Sequence, residues 1–211
     1  GMALWQARQC CPDLIFVPPR MYLYLRFSRM ARAIYRDYSD KVESFGLDEC
    51  WIDLSDCCAI LGDRTKTIEN GYRIAAEISG RVRRELGITV SIGVSWNKIY
   101  AKLGSDYKKP DAITVFDRNN YRQLIFPLPV SELLYVGRKT AKKLADCGIH
   151  TIGELAAADP SYLHRIFGKV GLMLSVFARG EDQTPVNDLG VEAQIKSVGN
   201  STTTPRDLVN N

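Results

Sequence analysis

Tyr38-Ser39-Asp40-Lys41-Val42-Glu43-Ser44-Phe45-Gly46-Leu47-Asp48-Glu49-Cys50-Trp51-Ile52-Asp53-Leu54 is the stretch on which the fold turns. Val42–Phe45 and Trp51–Leu54 are strand-like, and Gly46-Leu47-Asp48-Glu49 joins them, so the segment reads as a hairpin. Two adjacent carboxylates at its head repel each other unless a cation lies between them. Oxygen ligands of this kind suit a hard divalent ion such as Mg²⁺. Taken alone, Asp48-Glu49 is a weak signal and reads as an ordinary solvated turn dipeptide.

Outward from the hairpin, the periodicity predicts a helix over 20–39, with Tyr22, Leu25, Met30, Ala33 and Ile34 on one buried side. Residues 1–19 read as a short helix followed by a strand-like run, Leu14–Val17, stopped by Pro18-Pro19. Downstream, a long helix over about 66–86 ends at Gly87. Ile88–Val94 is a strand, Asn97–Lys109 a helix stopped by Pro110, and Ala112–Phe116 another strand. Strand pair, helix, strand, helix, strand makes an α+β arrangement: a mixed sheet packed against helices. Pro127 and Pro129 mark a boundary, and beyond it the pattern is all short helices. Thr151 and Glu154 form a capping box, Asp159-Pro160 is a helix start, and Gly148 and Gly180 sit where helix ends belong.

Composition sets the outer limits. The chain has 211 residues, 45% apolar and 25% charged, with a net charge of +4, so a buried core is expected and nucleic acid is a compatible partner. Six cysteines contain no CxxC pair, and two histidines complete no zinc pattern; free thiols in a reducing cytoplasm are expected. No stretch is long and apolar enough to span a bilayer, and no membrane partner is expected.

The hairpin run closely resembles the second catalytic motif of Y-family (lesion-bypass) DNA polymerases of the DNA polymerase IV type, which reads S-x-D-E before a hydrophobic strand with an internal Asp. Ser91-Ile92-Gly93-Val94-Ser95-Trp96-Asn97-Lys98, then Ala101-Lys102, then Lys109-Pro110, resembles the family's third motif. The resemblance implies a palm-type mixed sheet plus a small all-helical thumb with helix-hairpin-helix motifs. It divides the chain into the end of the fingers (1–19), the catalytic palm (20–127), the thumb (128–190) and the start of the little finger (191–211). Residue by residue, it makes Asp48 and Glu49 catalytic metal ligands and Lys109 the lysine that reaches the nucleotide triphosphate. Lys109 also reads as a helix-end charge; Lys98 and Lys102, one turn apart, read either as DNA contacts or as a solvated face. Asp53 reads as a structural group. Two positions depart from the pattern: the serine two before Asp48 is Gly46, and the glycine after K-P-x is Ala112.

Residues 131–147 resemble a helix-hairpin-helix, with Gly137, Arg138, Lys139, Thr140, Lys142 and Lys143 as DNA contacts aimed at phosphate. The first hairpin glycine of that pattern is Tyr135 here. Ile166–Gly171 resembles a second, weaker hairpin. The family's first motif, with a third carboxylate, is absent from the sequence. The expectation is therefore a fragment of a template-directed, two-metal nucleotidyl transferase acting in damage tolerance and repair, inactive alone. Two Mg²⁺ ions, primer-template DNA and dNTP are the implied cofactors and partners of the whole enzyme, with a processivity clamp reached through other regions. Without the first-motif strand, strand 51–54 or 88–94 should present an open sheet edge. A nucleotide cyclase with a palm-like domain and a non-catalytic DNA-binding module are the other readings.

Overall fold

A computed structural model describes residues 2–60, 67–188, 197–199 and 202. In chain order come α1 (Leu4–Cys10), α2 (Met21–Arg36), β1 (Val42–Ser44), β2 (Cys50–Ile52), α3 (Ser55–Ile60), α4 (Thr67–Leu86), β3 (Ile92–Val94), α5 (Lys98–Tyr107), β4 (Ile113–Val115) and α6 (Tyr121–Ile125). A 3₁₀ turn, Val130–Glu132, leads into α7 (Arg138–Ala145), α8 (Ile152–Ala157), α9 (Pro160–Phe167) and α10 (Lys169–Ala178). The α+β order follows the sequence pattern. The expected part of the little finger falls almost entirely outside the described residues.

Local signals act where the sequence places them. Asn97 caps α5 by accepting the Tyr100 N–H at 2.8 Å. Thr151 and Glu154 form a complete capping box on α8, and Asp159 caps α9 ahead of Pro160. Gly87, Gly148 and Gly180 all take positive φ at helix ends.

The sheet differs from expectation. β1 and β2 pair antiparallel, β3 and β4 pair parallel, and no ladder joins the two pairs among the described residues. They are connected by packing instead. Ile52 of β2 and Ile92 of β3 both lean on the cluster of Ile34, Ile74, Ile78 and Val82 from α2 and α4. The strands are also shorter than their apolar runs, because a strand persists only where a neighbour completes its hydrogen bonds. Leu14–Val17 shows the same rule: it is no strand, and Ile15 and Val17 stand in solvent. Along α2 only Ile34 is buried, while Tyr22, Leu25 and Met30 of the expected inner stripe are exposed. Apolar residues surround the first half of this helix, so periodicity alone could not select the buried side.

Beyond β3 the second core runs without a break from Ile99, Tyr100, Leu103 and Phe116 to Leu144, Leu163, Leu174 and Phe177. Pro127 and Pro129 mark a change in secondary structure, not a break in packing. The third-motif residues tie the far end of the helical part to α5. Tyr100 donates to the Ala178 carbonyl at 2.8 Å. Trp96 Nε1 and Asn97 Nδ2 both donate to the Gly180 carbonyl, at 2.9 and 3.1 Å.

Gly93 and Gly104 let β3 and α5 touch backbone to backbone. A Cβ on Gly93 would lie 1.8 Å from the Ala101 carbonyl oxygen and 2.6 Å from Ser105 N. Neither neighbour is a side chain that can move aside. Gly93→Ala should therefore destabilise the chain by about 3 kcal/mol or more, the range for severe overpacking. Urea unfolding followed by circular dichroism measures it; an unchanged midpoint would contradict this contact.

Candidate functional site

The hairpin head is held from below and from the side. Phe45 N–H donates to the Glu49 carbonyl at 3.0 Å, closing the turn, and the Phe45 and Trp51 rings lie 4.6 Å apart under it. From α2, Arg32 donates to the Gly46 carbonyl at 2.6 Å, and the Ser28 hydroxyl donates to the Leu47 carbonyl. Gly46 has φ +141°, a conformation that side chains rarely adopt. The serine of the family pattern would be strained on this backbone. The result is Asp48 exposed at the tip and Glu49 beside it, half-buried.

One face of α5 lies along this hairpin. Lys98 Nζ pairs with Glu43 at 2.6 Å and stands 4.9 Å from the Trp51 ring centre. Trp51 Nε1 donates back to the Lys98 carbonyl at 3.0 Å, and Asn187 N–H donates to the same Glu43 oxygen at 2.7 Å. With its side chain 8% exposed, Lys98 fits neither the DNA-contact nor the solvated-face reading: its charge is turned inward. One turn on, Lys102 Nζ bonds Glu49 Oε1 at 2.9 Å and Asp106 Oδ2 at 2.5 Å. Asp106 Oδ1 in turn holds Lys109 Nζ at 2.5 Å. Glu49, Lys102, Asp106 and Lys109 thus form one chain of alternating charge.

These pairings set the protonation. Partial burial pushes the Asp106 carboxyl up, but Lys102 and Lys109 outweigh it and hold the group below its ordinary value. Lys102 is held above its ordinary value, since Asp106 and Glu49 outweigh its own desolvation. Asp53 accepts the Ser55 N–H at 2.9 Å, a structural position at the start of α3.

Asp48 and Glu49 are the right kind of donors for a hard divalent ion. They are few: no cluster of three His, Cys, Asp or Glu side chains able to hold a metal occurs among the described residues. Glu49 also already faces an ammonium. Sequence reading missed Asp106 and Glu43. Asp106 lies four residues after Lys102 and three before Lys109, the spacing of helical ion pairs, and was detectable on that ground. Glu43 was not, because 55 residues separate it from Lys98.

The basic cluster lies in the helical part. Gly137 begins α7 with no side-chain cap, leaving the first-turn N–H groups directed outward. Tyr135 takes φ +69°, the left-handed conformation that the hairpin pattern assigns to glycine. A non-glycine residue there costs about 1–2 kcal/mol. Gly137, Arg138, Lys139 and Lys142 are exposed and Thr140 is half-buried. Lys143 is engaged elsewhere: its ammonium donates to the Ile166 carbonyl at 2.7 Å and sits 4.8 Å from the Phe167 ring centre. It braces the first hairpin against the second, whose helix α10 also begins uncapped at Gly168.

A model of the impB/mucB/samB family matches residues 1–106, half of the chain. The chain belongs to that family, the Y-family DNA polymerases. Residues 132–182 match a model described as the DNA polymerase-iota thumb domain. Among curated relatives, DNA polymerase IV of Acetivibrio thermocellus is 51% identical over all of this chain and 51% of its own length. DNA polymerase IV 1 of Bacillus subtilis is 41% identical over 98% of this chain and 48% of its own length. The chain spans about half the length of the curated relatives it matches. Among solved structures, DinB from Sulfolobus solfataricus superposes with a TM-score of 0.77 at 28% identity, over 89% of this chain and 54% of that one. The insertion ternary complex of Dbh DNA polymerase gives 0.77 at 29%, over 88% and 53%. No described helix is long and apolar enough to cross a membrane.

Because the folded Asp106 carboxyl lies below its ordinary value of 3.8, its ion pairs contribute fully above that pH. The contribution is lost as pH falls through the lower folded-state value. Asp106→Asn should lower the melting midpoint at neutral pH, and its melting midpoint should converge with that of the parent chain in acid, below that folded-state value. Thermal melts across pH 2–7 follow this, and a constant gap at all pH would contradict it.

Proposed function

We propose that this chain is part of a lesion-bypass DNA polymerase and carries most of the palm, with its carboxylate hairpin, and the thumb that holds DNA. The observation that carries this reading is the hairpin itself: Asp48 and Glu49 at its tip, with the Lys102–Asp106–Lys109 charge chain alongside, on a fold shared with polymerases of the family. In this reading residues 1–19 end the fingers, 20–127 form the palm, 128–190 the thumb, and 191–211 begin the little finger.

Asp48 and Glu49 would hold Mg²⁺ ions. Bound there, such ions would supply activation of the primer 3′ hydroxyl and offset charge on the departing pyrophosphate. Lys109, half-exposed at the end of the charge chain, can leave Asp106 to meet the triphosphate of an incoming dNTP. Arg138, Lys139 and Lys142, beside the uncapped start of α7, contact the phosphates of primer-template DNA without reading its bases. Thr140 borders that contact, and Lys143 supports it by fixing the two hairpins together. Lys98 sets the distance between α5 and the hairpin instead of touching DNA. Transfer in damage tolerance and repair is the activity of the whole enzyme, in which a processivity clamp would act through other regions.

The chain alone should bind duplex DNA weakly, with affinity falling as salt rises through counterion release. Reversing the charge of Arg138, Lys139 and Lys142 together should abolish binding in fluorescence anisotropy. Binding that survives the reversal would refute the thumb assignment. With two carboxylates at the hairpin tip among the described residues, the chain alone should extend a primer no faster than its Asp48→Ala variant in a gel assay with Mg²⁺ and dNTPs. Extension that depends on Asp48 would show that the two suffice. Intact DNA binding on Asp48→Ala, with no metal dependence anywhere, would instead favour a non-catalytic DNA-binding module.

A further inference from the structure

Glu49 is already balanced by a cation of the chain's own. The Lys102 ammonium bonds Glu49 Oε1 at 2.9 Å and Asp106 Oδ2 at 2.5 Å at the same time. It is 16% exposed, and one further turn of α5 separates its root from that of Asp106. A lysine ammonium has three donors, so holding two carboxylates at once is within its geometry. Bonded to Glu49, it competes with any other cation for the same oxygen. Pulled fully onto Asp106, it stays paired.

Resting on the metal-site reading above, we infer that Lys102 is the resident counter-cation of Glu49, and that Asp106 is the seat onto which it withdraws when a divalent ion takes that carboxylate. Asp106 is then a positioning residue. It touches neither substrate nor metal, and it acts on the site only through Lys102. Two features single it out from the other acids of the site. It is the one described carboxylate that bonds both Lys102 and Lys109, and its second oxygen already satisfies Lys109, so the seat stays anchored while Lys102 shifts. Glu43 cannot play this part, because Lys98 and the Asn187 N–H hold it.

The charge arrangement makes a signed prediction. Removing Lys102 takes away the competitor, so the site should bind metal more tightly. Removing the Asp106 charge takes away the alternative seat, leaves Lys102 on Glu49, and should weaken binding. The second effect should vanish when Lys102 is gone, because Asp106 then has nothing to receive. A simple field effect of the Asp106 charge would persist in either background.

The test is a titration of the 211-residue chain with Mn²⁺ alone, reading free Mn²⁺ by electron paramagnetic resonance. Lys102→Met should tighten binding about threefold to tenfold, and Asp106→Asn should weaken it by a similar factor, as expected for a neighbouring charge in a partly solvated site. Asp106→Glu, which keeps the carboxylate, should restore most of the lost affinity. In the Lys102→Met background, adding Asp106→Asn should change affinity by less than about twofold. An equal loss in both backgrounds, or no tightening with Lys102→Met, overturns the inference. If Asp48→Ala leaves the titration unchanged, the ion is not at the hairpin, and the metal-site reading falls first. Should a variant fail to fold, the Lys102 Nζ resonance of the unaltered chain decides: it should shift with Mg²⁺ in step with the Glu49 carboxylate, and a static signal refutes the withdrawal.

Discussion

Two carboxylates side by side at the tip of a hairpin repel each other, and the palm is arranged around balancing that charge. The balance comes from α5, which presents Lys98 and Lys102 one turn apart to Glu43 and Glu49. This works only because α5 lies close to β3, and that closeness depends on glycine at 93 and 104, where the two backbones meet. Position of the helix, placement of the lysines and charge at the hairpin are therefore one constraint. A lysine tolerates such burial because each ammonium is paired, whereas an unpaired one would carry a desolvation penalty of several kcal/mol.

The same helix serves the other half of the molecule. Its N-cap, Asn97, accepts the Tyr100 N–H and also donates to the Gly180 carbonyl at the end of the thumb helices. Trp96 and Tyr100 bond the same region, and one apolar core continues from α5 through α10. The helices mounted this way share a packed support with the helix that flanks the carboxylate hairpin.

Departures from the family pattern are accommodated locally. Gly46 adopts a backbone conformation unsuited to the usual serine, and its carbonyl is held by Arg32 instead. Tyr135 keeps the left-handed turn of a hairpin glycine and sets its ring 6.1 Å from that of Phe177.

Sequence by itself determined the order of elements, the helix caps at Thr151 and Asp159, the turn that carries Asp48 and Glu49, and membership in the family through two motifs. These are short-range matters: propensity, capping and turn chemistry act within a few residues, so they can be read without the fold. Only the tertiary structure decided which way the lysines face. Lys98 and Lys102 fall on one helix face in either reading, but whether that face meets water, DNA or Glu43 depends on strands more than fifty residues away. It likewise decided that the two strand pairs are joined by packing on α4 and not by a shared ladder, and that half of α2 lies exposed. Those outcomes depend on which surfaces have a partner to bury them, and hydrophobic burial, being non-directional, leaves no local mark that names the partner.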